Sequence, residues 1–78
     1  MDEKTSREVL EALLACLREL DKAIEFAAAQ AEPEEFRRFR ALAGRAMGLI
    51  FVELIEPIYR EHPILQPDYL KEGNAPMG

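Results

Sequence analysis

The sequence predicts an all-α fold, in which two antiparallel helices form a hairpin and two hairpins dimerise into a four-helix bundle. Three observations lead to this prediction. Apolar residues recur at alternating steps of three and four, a proline divides the periodic pattern near its middle, and the block before Tyr59 is apolar on nearly all sides. We place the helices at about 5–31 and 33–61, within one domain covering 1–73, and predict that 74–78 is a disordered tail.

The first helix is predicted from a start signal and a long apolar seam. Thr5 and Glu8 have the spacing of a capping box, in which each side chain satisfies a free backbone N–H of the other residue. No glycine or proline follows until the end of the seam. The seam consists of Leu10, Leu13, Leu17, Leu20, Ile24, Ala27 and Ala31.

The second helix is predicted to start at Pro33, because proline is well tolerated at the first helical position. The very short connection makes the two helices antiparallel neighbours. One long helix kinked at Pro33 is the alternative. Pro63 restricts His62 to extended conformations, so the helix is expected to end by Glu61. The stripe expected to face the first helix is Phe36, Phe39, Ala43, Ile50 and Leu54.

Pro57 is expected to kink the second helix or divide it, since proline has no N–H to donate and frees the carbonyl of Glu53. The tail beyond Glu61 is predicted to pack back on the bundle or on a neighbouring chain. A short helical turn is expected over 67–72. The apolar anchors of this tail are Ile64, Leu65, Tyr69 and Leu70.

The apolar block on the second helix is the reason for predicting a homodimer. A hairpin covers only one side of a helix, whereas this block is apolar almost all round. A second copy in a closed twofold arrangement is the simplest cover, and two glycines at four-residue spacing let another backbone come close. The predicted interface residues are Ala41, Gly44, Gly48, Leu49, Phe51, Val52, Ile55, Ile58 and Tyr59.

Composition excludes several classes of partner. The chain has 78 residues and a net charge of −5, which disfavours binding to nucleic acid or to an anionic membrane. Arg45 and Glu53 bracket an apolar run far shorter than the roughly 20 residues of a membrane span. The charged N-terminal segment and the single cysteine, Cys16, favour a cytoplasmic location. Cys16 itself is expected to be a small buried apolar residue beside Leu13 and Leu20.

No catalytic set or cofactor motif is recognisable. The chain holds one histidine, one cysteine and one serine, and it has no glycine-rich phosphate loop. The one arrangement of residues that could support a reaction is a divalent-cation site made of carboxylates on facing helices. Its candidate ligands are Glu8, Glu11, Glu53 and Glu56.

The sequence therefore predicts a small, non-catalytic helical homo-oligomer that needs no cofactor and acts through protein–protein interaction, with a further, unidentified protein as its partner. Two alternatives remain open at this point. One is an all-α enzyme that uses a carboxylate-bound cation on a phosphorylated small molecule. The other is a subunit whose apolar block covers a different, larger protein.

Overall fold

The computed structural model describes residues 1–67, which fold as a helical hairpin. Helix α1 (Glu3–Gln30) is followed after two residues by α2 (Pro33–Leu49), a π-helical turn (Ile50–Ile55), α3 (Glu56–Glu61) and a short 3-10 turn (Pro63–Leu65). The all-α hairpin is thus confirmed. In the described part of the chain, no helix is both long and apolar enough to cross a bilayer.

The start of α1 differs from the prediction. Asp2, and not Thr5, is the N-cap residue: its side chain accepts a hydrogen bond from the backbone N–H of Thr5 at 2.7 Å. The Thr5 side chain and this N–H lower the pKa of the Asp2 carboxyl, because both stabilise the charged form. The predicted cap at Thr5 is therefore wrong, and α1 begins at Glu3, which adds most of a turn to its start.

The break between the two helices lies where the sequence placed it. Ala31 has extended backbone angles (φ −86°, ψ 158°), so the chain does not continue as one kinked helix. Helix α2 begins at Pro33, and the backbone N–H of Glu32 donates to Oε1 of Glu35 at 3.3 Å. This bond satisfies one of the free donors at the helix start.

The second helix is divided just before Pro57, and the division takes the form of a π-helical turn. The N–H of Glu56 donates to the carbonyl of Phe51, five residues earlier instead of four. A π turn holds one more residue than an α turn of the same height. Every residue after it is therefore rotated by about one position, or roughly 100°, from where a continuous α-helix would put it.

This rotation changes which side chains face α1. Ile55, Ile58 and Tyr59 are buried, although a continuous helix would turn them outward, whereas Leu54 is half exposed. The predicted outward orientation of the three buried residues is therefore wrong. The remaining members of the predicted inward stripe divide similarly: Ala43 is buried, Phe36 and Ile50 are partly buried, and Phe39 is exposed.

The core lies at the open end of the hairpin, away from the turn. Leu10 of α1 packs there with Ile55, Ile58 and Tyr59. The rings of Phe51 and Tyr59 meet edge to face, with centroids 6.5 Å apart. The partly buried residues around this cluster are Val9, Leu13, Leu14, Leu17, Ile50, Phe51 and Leu65.

Met1 and the end of α3 meet beside this core. His62 is the residue that ends α3, and its Nε2 lies 2.9 Å from the carbonyl oxygen of Met1. Because a carbonyl oxygen only accepts, Nε2 carries the proton in this hydrogen bond. The Met1 ammonium also lies 3.5 Å from Oε1 of Glu61. The start of α1 is therefore held against the end of α3.

The tail is only partly described. Leu65 packs against the core as predicted, while Ile64 is 70 % exposed. The predicted anchors Tyr69 and Leu70, most of the predicted turn over 67–72 and the predicted disordered segment 74–78 lie outside the described residues.

Ser6 is a polar residue inside this core, and its replacement gives a first prediction. Its side chain is fully buried (0 % exposed), and its Oγ has no hydrogen-bond partner among residues 1–67. We expect Ser6→Ala to raise the free energy of unfolding by about 1–2 kcal/mol, because it removes an unsatisfied hydroxyl and improves helix propensity. Urea unfolding measures the change, with Lys4→Ala as an exposed control on the same helix. A loss of stability in Ser6→Ala would contradict the prediction.

Candidate interaction surface

The predicted interface residues do not form one exposed set. Ile55, Ile58 and Tyr59 are buried within the hairpin, and Phe51 is partly buried. The three buried residues belong to the fold of the single chain because the π turn directs them inward, and Phe51 packs against them. The exposed members, which stay predicted interface residues, are Ala41, Gly44, Gly48, Leu49 and Val52.

Neither glycine is packed closely by another part of the described chain. A Cβ added to Gly44 or Gly48 would meet no atom of residues 1–67 within 4 Å beyond its own stretch of helix, and neither glycine has a positive φ. Each glycine lowers helix stability by about 1 kcal/mol relative to alanine. The hairpin by itself therefore provides no reason for glycine at these positions.

The half of the hairpin nearest the turn lacks a core of its own. No residue from Glu11 to Leu42 is buried, although both helices carry apolar side chains throughout this region. Large exposed side chains here include those of Leu42 (55 %) and Phe26 (66 %). Two helices side by side cannot enclose the residues on their flanks, so this half of the molecule stays open.

One side of the hairpin is apolar along its whole length, and we call it the apolar face. Helix α1 contributes a stripe at steps of four and three, namely Val9, Leu13, Cys16, Leu20, Ala23 and Ala27. The second helix contributes a matching stripe, namely Phe39, Leu42, Ala46, Leu49 and Leu54. In the second stripe every residue is exposed.

The lining of one groove shows that the two stripes lie on the same side of the molecule. Val9 and Leu13 from α1 line it together with Leu54 and Ile58 from the second helix, around a volume of about 400 Å³. The stripes run from this groove towards the turn at helical spacing. The apolar face therefore spans both helices and is not confined to a single ridge.

A second groove, nearer the turn, includes several arginines. It has a volume of about 880 Å³, and its lining residues include Ile24 and Phe36 together with Arg37, Arg40 and Arg45. Arg37 is paired with Glu34 at 2.7 Å within α2.

Cys16 is exposed, which corrects the prediction that it is buried. Its neighbours in the seam, Leu13 and Leu20, are partly buried, but Cys16 lies further round the helix, on the apolar face. The chain has no second cysteine, so this thiol is a natural reporter of whether the face is covered.

The four candidate metal ligands are not brought together. Within residues 1–67, no group of three or more histidine, cysteine, aspartate or glutamate side chains is arranged to hold a metal ion. Glu56 instead lies 3.8 Å from Arg60, four residues later on the same helix. Glu8, Glu11 and Glu53 are exposed.

Comparison of this chain with models of protein families, with characterised proteins and with solved structures finds no match. The surface therefore has to be interpreted from its own geometry.

Proposed function

We propose that this chain is a small, non-catalytic helical protein that forms a homodimeric four-helix bundle and acts by binding another protein. The observation that carries the proposal is the uncovered half of the hairpin, where no residue from Glu11 to Leu42 is buried. Domains of this size have little stability to spare. Covering this apolar surface with protein would supply the burial that the single hairpin lacks.

A cytoplasmic location is part of the proposal. Cys16 is an exposed free thiol, and thiols of this kind persist in reducing compartments, whereas in oxidising ones they form disulfides. A protein of net charge −5 that also carries an apolar face suits a role in a protein assembly.

Sedimentation equilibrium of the purified chain at micromolar concentration tests the proposal. We expect twice the monomer mass of 8.9 kDa, and a melting temperature that rises with protein concentration because association stabilises the folded state. A monomeric mass with a concentration-independent melting temperature would contradict the homodimer. That result would favour the other assembly, in which the chain covers part of a different protein.

A further inference from the structure

We infer that the apolar face is covered by a second copy of this chain, packed through its own apolar face, with α1 of each copy lying over the second helix of the other. The inference rests on the proposed homodimer and identifies which surface forms it. Leu49 is the one position that this face shares with the interface predicted from sequence. The competing surface is the ridge predicted from the sequence on the outer side of the second helix, which contains Ala41, Gly44, Gly48 and Val52.

The size of the face fits a dimer interface. From Val9 to Ala27, α1 rises about 27 Å, and two packed helices are about 20 Å wide, so the projected area is about 500 Å². The accessible area of such a corrugated surface is larger than its projection. It approaches the roughly 800 Å² per partner of a specific interface and reaches the upper end of the apolar patches seen on monomers.

The absence of charge on the face also fits self-association. Each copy carries a net charge of −5, so two copies repel unless their charges stay apart. The residues of the two stripes are all uncharged. Arg38 and Arg45 lie three or four residues from Leu42 or Leu49, beside the second stripe, and Glu53 and Glu61 are among the lining residues of the adjoining groove. Face-to-face packing therefore buries the uncharged stripes, with these charges beside them.

The alternation of large and small residues is the argument for a second copy over an unrelated partner. In the hairpin register that packs Leu10 with Ile55, the four levels of the face nearest the turn each combine one large and one small side chain, whereas Leu13 and Leu54 beyond them are both large. The four levels are Ala27 with Phe39, Ala23 with Leu42, Leu20 with Ala46, and Cys16 with Leu49.

A twofold axis parallel to the helices preserves these levels. It puts α1 of one copy over the second helix of the other, so each large side chain of the four levels meets a small one across the interface as well. Alternating sizes across facing positions let layers interdigitate without voids. The same chain is thus complementary to itself in this arrangement.

The test replaces two exposed leucines of the face, 55 % and 61 % exposed in the single chain, in the double variant Leu42→Glu/Leu49→Glu. We expect its sedimentation mass to fall by half relative to the wild type. Two control variants each add one glutamate at an exposed apolar site elsewhere: Phe26→Glu on the outer side of α1, and Val52→Glu on the competing ridge. Both are expected to remain dimeric.

The outcomes separate this inference from the proposed function. A monomeric wild type overturns both. A dimeric wild type whose Leu42→Glu/Leu49→Glu variant is also dimeric overturns the inference alone, and dissociation by Val52→Glu would then assign the interface to the ridge.

Cys16 gives a second measurement that needs no variant, in case the double variant does not fold. We expect the wild-type thiol to react more slowly with a thiol reagent at concentrations where the chain is dimeric than after dilution to monomer. A reaction rate that is constant across the dissociation range overturns the inference.

Discussion

Replacing Ile55 with alanine is expected to lower the free energy of unfolding by about 2–5 kcal/mol, because the substitution leaves a cavity in the core. Ile55 is fully buried (0 % exposed) and packs with Leu10, Ile58 and Tyr59. Since small domains lie near the lower end of the usual range of roughly 5–15 kcal/mol, this loss removes much of the total stability. Urea unfolding followed by far-ultraviolet circular dichroism measures it.

Two control variants separate the cavity from other effects of the substitution. Ile55→Val removes only one methylene and is expected to lose about 0.5–1.5 kcal/mol. Ile64→Ala removes the same atoms as Ile55→Ala from an exposed site and is expected to change stability by less than about 0.5 kcal/mol. All variants are compared at one protein concentration, because association contributes to apparent stability. An Ile55→Ala variant as stable as Ile64→Ala would show that Ile55 does not face α1.

The elements of this fold that local chemistry determines could be predicted from the sequence. Pro33 fixes where the second helix starts, because its ring prevents α1 from continuing while suiting a first helical turn. Pro63 fixes the end of α3 at Glu61 through its effect on His62. The periodicity of apolar residues gives the helices themselves, and the two-residue connection makes them antiparallel. None of these features depends on long-range packing.

The orientation of the last helical turns could not be predicted, because it depends on a single extra residue. Pro57 signalled a break, but a proline can be accommodated by a kink, by an unpaired carbonyl or by a π turn. Of these, only the π turn rotates the residues that follow it about the helix axis. That shift moves Ile55 and Ile58 into the core and Leu54 out of it, which no periodicity calculated for a continuous helix would show.

The candidate surface was predictable only in outline, for the same reason. The surplus of apolar residues on the second helix was visible in the sequence, and Leu49 and Val52 are indeed exposed. The sequence did not show which flank of the hairpin carries the surplus of apolar residues. To locate that flank, one must know how both helices are rotated about their axes. Cys16 shows this directly: it lies three residues after Leu13 and four before Leu20 of the seam, yet its position on the flank leaves it exposed.

Deleting Val52 in a chain that also carries Pro57→Ala is expected to give a folded hairpin whose second helix is an uninterrupted α-helix. Val52 is an exposed residue within the π turn, so its removal takes out the one extra residue without removing a core side chain. Ile55 and Ile58 then keep their inward orientation in an ordinary α register. We expect far-ultraviolet circular dichroism to show full helicity, and urea unfolding to show stability close to that of the parent chain.

The same deletion with Pro57 retained is expected to be less stable by about 3 kcal/mol, the usual cost of proline inside a regular helix. In the native chain the π turn ends just before Pro57, so the missing N–H and the bulk of the ring fall at the start of α3. Removing the extra residue would put the ring against the carbonyl of Glu53, four residues earlier. The difference in the free energy of unfolding between the two deletion variants therefore measures how much of the cost of Pro57 the π turn removes.

A deletion in α1 provides the matched control. Ala12 is exposed, like Val52, but it lies in a regular α-helix with no extra residue to remove. Its deletion rotates Leu10 and the preceding turn by roughly 100° relative to the rest of α1 and takes Leu10 out of the core. We expect this variant to unfold. If the Val52 deletion with Pro57→Ala unfolded as readily as the Ala12 deletion, the phase shift at the π turn could not be what brings Ile55 into the core.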